Sequence, residues 1–288
     1  MKKLLLFSIL IMLTFTTSCT ENNDVEVNDS TLQPIEDEPP IVENELPDED
    51  ESPNEEEDNQ TKEWPSEDNT GTTGTLTDYE GDIVTTEDDQ VIENLNITGS
   101  ISVKHSNVII RNCKFESLDI KTTSPTLGEN CLVHDCELKW AGRQNFTLLR
   151  CKMSSASSDL VRTSGPNVTI EDSYFIITGP REPDSHADII QEYPTNSGSN
   201  MLARHNTFLI SGEGVGCINA QAWTIENNLM AGGSYTLYTV NSIIKDNHFS
   251  TRYSPNVGEF GIYYKGAEGS TCTGNVIHET GEPIDCDQ

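Results

Sequence analysis

The chain has 288 residues and carries 48 acids against 17 bases, a formal charge of −31 at neutral pH. That balance excludes a nucleic-acid partner, because phosphate binding requires a basic face. The charge is unevenly spread: residues 20–75 hold 20 acids against Lys62 alone, whereas residues 76–288 hold 28 acids against 14 bases.

The first residues, "MKKLLLFSILIMLTFTTSC", set Lys2 and Lys3 ahead of an apolar run from Leu4 to Phe15. This is the layout of a secretory signal, and the run is too short to span a bilayer. Thr16, Thr17 and Ser18 followed by Cys19 resemble a bacterial lipoprotein signal. The resemblance implies removal of residues 1–18 and a lipid on Cys19 that holds the protein to a membrane. Glu21, Asp24 and Glu26 resemble the export signal of surface lipoproteins in Bacteroidetes-type bacteria, which implies the outer face of an outer membrane. An ordinary secretory signal with an incidental cysteine is the alternative. Residues 19–75, with clusters such as "PDEDESPNEEEDNQ", have too few apolar groups to offset the entropy of ordering and are expected to form a disordered, self-repelling tether.

From residue 76 the chain repeats itself. "NVIIRNCKF" (107–115), "NCLVHDCEL" (130–138), "NFTLLRCKM" (145–153), "NVTIEDSYF" (167–175), "NMLARHNTF" (200–208) and "NSIIKDNHF" (241–249) superpose without gaps. "AWTIENNLM" (222–230) also fits, and "STCTGNVI" (270–277) fits with a slip. Apolar residues two apart mark each copy as a short strand with one buried face. The seventh place holds Cys113, Cys136, Cys151, Ser173, Asn206, Asn228 and Asn247, and the ninth holds Phe115, Leu138, Met153, Phe175, Phe208, Met230 and Phe249. A small polar column beside an apolar one, repeated turn after turn, resembles the single-stranded right-handed parallel β-helix, an all-β solenoid. Residues 76–288 are therefore expected to form one such domain. A β-sandwich would not hold the same side chains in register over six copies. The interval of 15 between Asn130 and Asn145 is short for a turn and points to a tight corner at "KWAGRQ".

Leaving out Cys19, seven cysteines remain. The odd count, and the in-register placing of Cys113, Cys136 and Cys151, favour small buried thiols over a disulfide framework, since parallel side chains approach bridge geometry poorly. Cys131, Cys217, Cys272 and Cys286 are read in the same way, and no histidine stands with them at metal-ligand spacing.

Each turn also carries a second stretch: "SLDIK" (117–121), "DLVRT" (159–163), "DIIQE" (188–192), "CINAQ" (217–221), "TLYTV" (236–240), "GIYYK" (261–265) and "PIDCD" (283–287). Taking Leu118, Leu160, Ile189, Ile218, Leu237, Ile262 and Ile284 as inward puts their neighbours on an outward strip. That strip holds Asp119, Lys121, Asp159, Asp188, Glu192, Asn219, Gln221, Tyr238, Tyr263 and Lys265, and it leaves Ile190 awkwardly outward. Amides and carboxylates suit sugar hydroxyls, tyrosine faces suit pyranose rings, and a few bases suit acidic substituents. A polysaccharide is the expected partner, and a monomer the expected state. A solvated sheet face would explain the polar residues but not outward tyrosines.

"PDSHADIIQEYP" (183–194) closes the longest insertion between copies, and long loops on a repeat scaffold gather on one face and carry function. Asp184, His186 and Asp188 can form an acid/base group. Asp184, Asp188 and Glu192 can instead hold calcium. His186 and Gln191 can also simply satisfy loop backbone.

Families with the β-helix fold act mostly on polysaccharides: pectate-lyase-like lyases, polygalacturonase-like hydrolases and mannuronan epimerases. "SHADIIQ" is similar to the "NTDGID" pattern of the hydrolases, with Asp188 at the matching acid, but there is no "GHG" and no "RIK". "DSHAD" resembles the "DPHD" of the epimerases, which implies catalysis by Asp184, His186 and Asp188. For a lyase or epimerase, proton abstraction from C5 of a uronic acid falls to His186, Lys121, Lys265 or a tyrosine. Arg162, Arg181, Lys265 or calcium would then face the carboxylate. The expected function is a surface-anchored polysaccharide lyase or related enzyme; the alternative is a glycan-binding or adhesion lipoprotein without turnover.

Overall fold

The computed structural model describes residues 63–120, 129–179, 186–193, 198–212 and 214–287. The expected signal, Cys19 and most of the tether lie outside these residues, as do Lys121, Arg181 and Asp184. Every inter-strand pairing in the named strands is parallel, and each strand pairs with the equivalent strand of the next turn, for example Phe146–Leu149 with Val168–Glu171. Nine strands, from Val91–Glu93 to Thr271–Thr273, stack in chain order into one sheet. The other two strands of each turn join in a 17-stranded sheet, because Lys114–Ile120 and Glu137–Arg143 run round a corner without a break. The architecture is the right-handed parallel β-helix with three strands per turn.

The repeat folds this way because its first and sixth places are left-handed corners. Asn107, Asn145, Asn167 and Asn200 at the first place have φ of 57°, 58°, 60° and 61°, and Asn112, Asp135, Asp172 and Asp246 at the sixth have 48°, 55°, 52° and 55°. Asn and Asp tolerate this region better than other residues with a Cβ. Two further copies follow from the same corners. "DQVIENLNI" (89–97) turns at Asp89 and Asn94, and "GSTCTGNVI" (269–277) turns at Gly269 and Gly274, so the last copy fits without a slip.

After the sixth-place corner, the backbone N–H of the seventh residue has no strand partner, and the next rung's seventh side chain takes it. Ser173 N–H donates to Asn206 Oδ1 at 2.9 Å, Asn206 N–H to Asn228 Oδ1 at 2.9 Å, Asn228 N–H to Asn247 Oδ1 at 3.0 Å and Asn247 N–H to Asn275 Oδ1 at 3.0 Å. Earlier in the coil Ser173 Oγ accepts from Cys151 N–H at 2.9 Å and Cys136 Sγ accepts from Cys113 N–H at 3.4 Å. The ninth-place residues stack in register beside this column, Phe175 on Phe208 with ring centroids 5.1 Å apart, and from Ile97 to Phe249 they are buried.

Cys113, Cys131, Cys136, Cys151 and Cys217 are free and buried, and burial pushes the Cys151 thiol up to about 12. Cys272 and Cys286, read above as further thiols, instead form a disulfide with Cα atoms 5.4 Å apart. The bridge joins a strand to the tail that returns across the end of the coil with Ile284 buried, so its two cysteines do not belong to one parallel stack. The 15-residue turn is explained by Glu137–Arg143, one continuous strand that replaces two strands and their loop. Gly142 is required there because a Cβ would collide with the ring of Trp140.

The folded unit also begins earlier than residue 76. The Trp64 ring stacks on His205 with centroids 5.3 Å apart. Gly71 N–H donates to Arg150 O at 2.9 Å and Thr73 N–H to Asn112 Oδ1 at 2.8 Å. Residues 63–74 thus run along the outside of the coil before entering its first turn at Thr77–Tyr79. The acids around Trp64 and Pro65 masked these two anchoring side chains in the composition.

The seventh-place column should dominate stability. Asn228→Ala removes an acceptor and orphans several buried groups, and is expected to cost about 2–4 kcal/mol. Asn96→Ala, which loses only a surface bond to Asp78 at 2.8 Å, should cost under about 1 kcal/mol. Urea midpoints of the two variants check this, and equal losses would contradict it.

Candidate functional site

The third strand of each turn sets the face in question. Its inward ladder is Leu118, Ala141, Val161, Ile190, Ile218, Leu237 and Tyr263. The outward ladder is Asp119, Gly142, Arg162, Gln191, Asn219 and Tyr238, and Tyr264 stacks on Tyr238 with centroids 5.0 Å apart. The register expected from the sequence, with Leu160, Ile189 and Ile262 inward, is therefore one residue early in three turns. All three are buried, but so are Val161, Ile190 and Tyr263. Strands that start from a corner bury two successive residues, and alternation alone cannot separate them.

The shift moves Tyr263 from the strip into the core. It is 4% exposed and packs edge-on against Phe249 at 5.7 Å, and burial pushes its phenol above the ordinary range. Asp188 and Glu192 are likewise buried and not outward. Asp188 accepts from Asn219 Nδ2 at 3.0 Å and Gln191 Nε2 at 3.5 Å, and its own N–H donates to Asp159 Oδ1 at 2.9 Å. Burial pushes its carboxyl up to about 7, the Asp159 charge adds to the rise, and the Asn219 bond opposes it. Glu192 Oε2 accepts from Gln221 N–H at 2.9 Å, and its pKa too is raised, first by burial.

Above this layer lies a depression of about 430 Å³ lined by Ser158, Asp159, Arg162, His186, Gln191 and Tyr193. The Arg162 guanidinium is paired with Asp159 and lies 6.0 Å from the centre of the Tyr193 ring. Ser158 and Asp159 also line a neighbouring hollow of about 660 Å³ that reaches Trp140 and Lys139. In the other direction the strip passes Asn219 to a cluster of rings. Tyr235 meets Tyr238 at 5.6 Å, Phe260 at 5.8 Å and Tyr264 at 5.5 Å. Phe260 and Tyr264 are 62% and 40% exposed.

The structure thus brings together His186, Asp159, Arg162 and Gln191, with Asp188 and Asn219 beneath or beside them. His186 is exposed at the mouth of the depression while Asp188 is fully buried, so the expected acid/base pair is split between two depths. Lys265 is held 5.2 Å over the Tyr264 ring. It stands three rungs beyond Gln191, roughly 14 Å along the coil, and is not part of the same group. Asp119 lies three rungs from Gln191 in the other direction, beyond Arg162 and Gly142, and is paired with Arg143 at 3.0 Å. Asp188 and Glu192 are four residues apart on one strand, roughly 13 Å, and separate neighbours engage them. They do not fit one calcium ion, and among the described residues no cluster of three or more acidic, His or Cys side chains does. Tyr193, Tyr235, Phe260 and Tyr264 were missed; "YYK" at 263–265 held the signal, one place out of frame.

No protein-family model and no curated protein matches the chain. Among solved structures it is similar to a mannuronic acid specific polysaccharide family 6 lyase from human gut microbiota, with a TM-score of 0.40 and 11% identity. The match covers 65% of this chain and 58% of that one, so the chain spans less than two thirds of the lyase's length. The likeness is one of chain path and gives no residue of the site a role.

Asp188 supplies a test of the buried layer. A carboxyl raised from its ordinary 3.8 to about 7 binds more protons folded than unfolded between those values. Stability should fall as pH rises through that window and show no further loss from this group above it. Asp188→Asn removes the slope. It is expected to be more stable than the wild type at pH 8 by up to about 4 kcal/mol, with the gap closing near pH 4. Thermal melts across pH check this, and a gap independent of pH would contradict it.

Proposed function

We propose that the outward strip from Trp140 to Tyr264 binds an extended polysaccharide, and that a lipid on Cys19 holds it at the cell surface. The observation that carries the reading is the ring cluster of Tyr235, Tyr238, Phe260 and Tyr264, partly exposed and in line with the amides of Gln191 and Asn219. Exposed contiguous rings on a polar sheet mark a contact surface, and rings with amides at fixed spacing suit the apolar faces and hydroxyls of sugars. Rungs repeat roughly every 4.8 Å, so the strip presents successive subsites along the coil axis.

A second reading, cleavage of a uronic-acid-containing chain by β-elimination, is favoured by His186 sharing its depression with Arg162 and Gln191. In it His186 takes the C5 proton, and the electron pair forms the C4–C5 double bond as the bond from C4 to the leaving oxygen breaks. Arg162 would face the carboxylate as its charge grows. Because Arg162 is already neutralised by Asp159, binding without turnover is the primary reading.

Calorimetry against a polysaccharide panel should find a ligand whose affinity falls roughly tenfold in Tyr238→Ala and in Tyr264→Ala. Absorbance of unsaturated uronates separates the readings. Turnover lost in His186→Ala with binding retained supports elimination, and binding without absorbance supports display alone. A folded protein that binds no glycan would overturn both. Anchoring is tested separately: Cys19→Ala should release the protein from the membrane fraction.

A further inference from the structure

A pair of histidines on another face of the coil carries an inference independent of the glycan reading. The strand His248–Phe249 pairs with Val276–Ile277 of the last turn, with Phe249 opposite Ile277. Phe249 is fully buried, so alternation turns His248 outward, and His278 beyond Ile277 turns outward with it. Their Nδ1 atoms are 3.3 Å apart and their ring centroids 5.4 Å apart. Two nitrogens bound to one tetrahedral zinc at roughly 2.0–2.1 Å stand about 3.3–3.4 Å apart. The rings therefore already hold the bite that such an ion requires.

We propose that His248 and His278 form a zinc site linking the last two turns, with solvent completing the tetrahedron. The surroundings favour a cation. The adjoining groove, about 580 Å³, is lined by Glu67, Asp68 and Glu279 against Arg252 alone among Lys and Arg. Glu279 is fixed beside the pair, accepting from Ser250 Oγ at 2.5 Å and Thr251 N–H at 3.0 Å. The edge of Trp64 closes one side of His248 with centroids 5.3 Å apart. Imidazole suits zinc, whereas calcium and magnesium select oxygen ligands. Without the ion one Nδ1–H donates to the other ring. With it, that proton moves to Nε2 and both Nδ1 lone pairs face the metal, with no net proton lost.

Titration of the full chain with zinc chloride tests this by calorimetry and thermal melting. We expect one site above the weak binding of the acidic stretch and a rise in melting temperature, since an ion joining two turns binds the folded state alone. Affinity should fall at least tenfold in His278→Ala and His248→Ala, and be unchanged in His105→Ala, whose ring bonds to Thr85 Oγ1 at 2.9 Å on an early turn. His278→Gln keeps a polar side chain on the exposed turn and guards against misfolding. Equal zinc affinity and stoichiometry in the wild type and both alanine variants would overturn the proposal.

Discussion

Everything else in the molecule depends on one hydrogen bond repeated along the coil: the backbone N–H left over at the sixth-place corner, taken by the seventh side chain of the next turn. An unpaired buried N–H is costly, so each turn can close only if its successor supplies a small acceptor at one place. Asn206, Asn228, Asn247 and Asn275 do this with amides that also bond to one another and to backbone carbonyls, as Asn247 Nδ2 does to Ile225 O at 2.8 Å. Towards the start, Ser173, Cys151 and Cys136 occupy the column with smaller side chains. The amide half of the coil is thus cross-linked at both backbone and side-chain level, and it is this half that carries the ring cluster.

With the register fixed by that column, the outward strip follows without further design. Equivalent residues of successive turns must stand side by side, so Arg162, Gln191, Asn219 and Tyr238 form a line. Apart from Lys265, which lies over the Tyr264 ring, the described bases beside the line are matched by local acids: Arg143 by Asp119, Lys139 by Glu116, Arg162 by Asp159. Exposed pairs of this kind add little stability. Their effect here is to neutralise charge on the face, leaving amides, hydroxyls and rings as the groups free to meet a ligand. The buried Asp188 works differently, holding Asn219 and Gln191 from beneath and fixing which way their side chains point.

The coil itself was legible in the sequence because its constraint is strictly periodic. From Cys113 to Asn275 a small Asn, Ser or Cys stands at one place and Phe, Met, Leu or Ile two places on, and stacking in register requires both. The corner asparagines at the first place were visible in the alignment, although their left-handed backbone was not read from it. The site was less legible because its strands leave a corner with two buried residues in succession, and Ile189 and Ile190 look alike in a pattern of polar and apolar letters. That single ambiguity exchanged Tyr263 for Tyr264 and turned the buried Asp188 and Glu192 into surface groups. Trp64 was hidden by its acidic neighbours, and the partner of Cys272 by a tail that returns from outside the repeat.

The central claim is that the strip is a recognition face, and side-chain footprinting with and without bound polysaccharide tests it most directly. Tyr193, Phe260 and Tyr264 are exposed on the strip, at 65%, 62% and 40%, while Tyr79, at 41%, lies in the first turn. Protection of the first three with Tyr79 still labelled is the predicted result; labelling that is unchanged on the strip, or lost only at Tyr79, would contradict it.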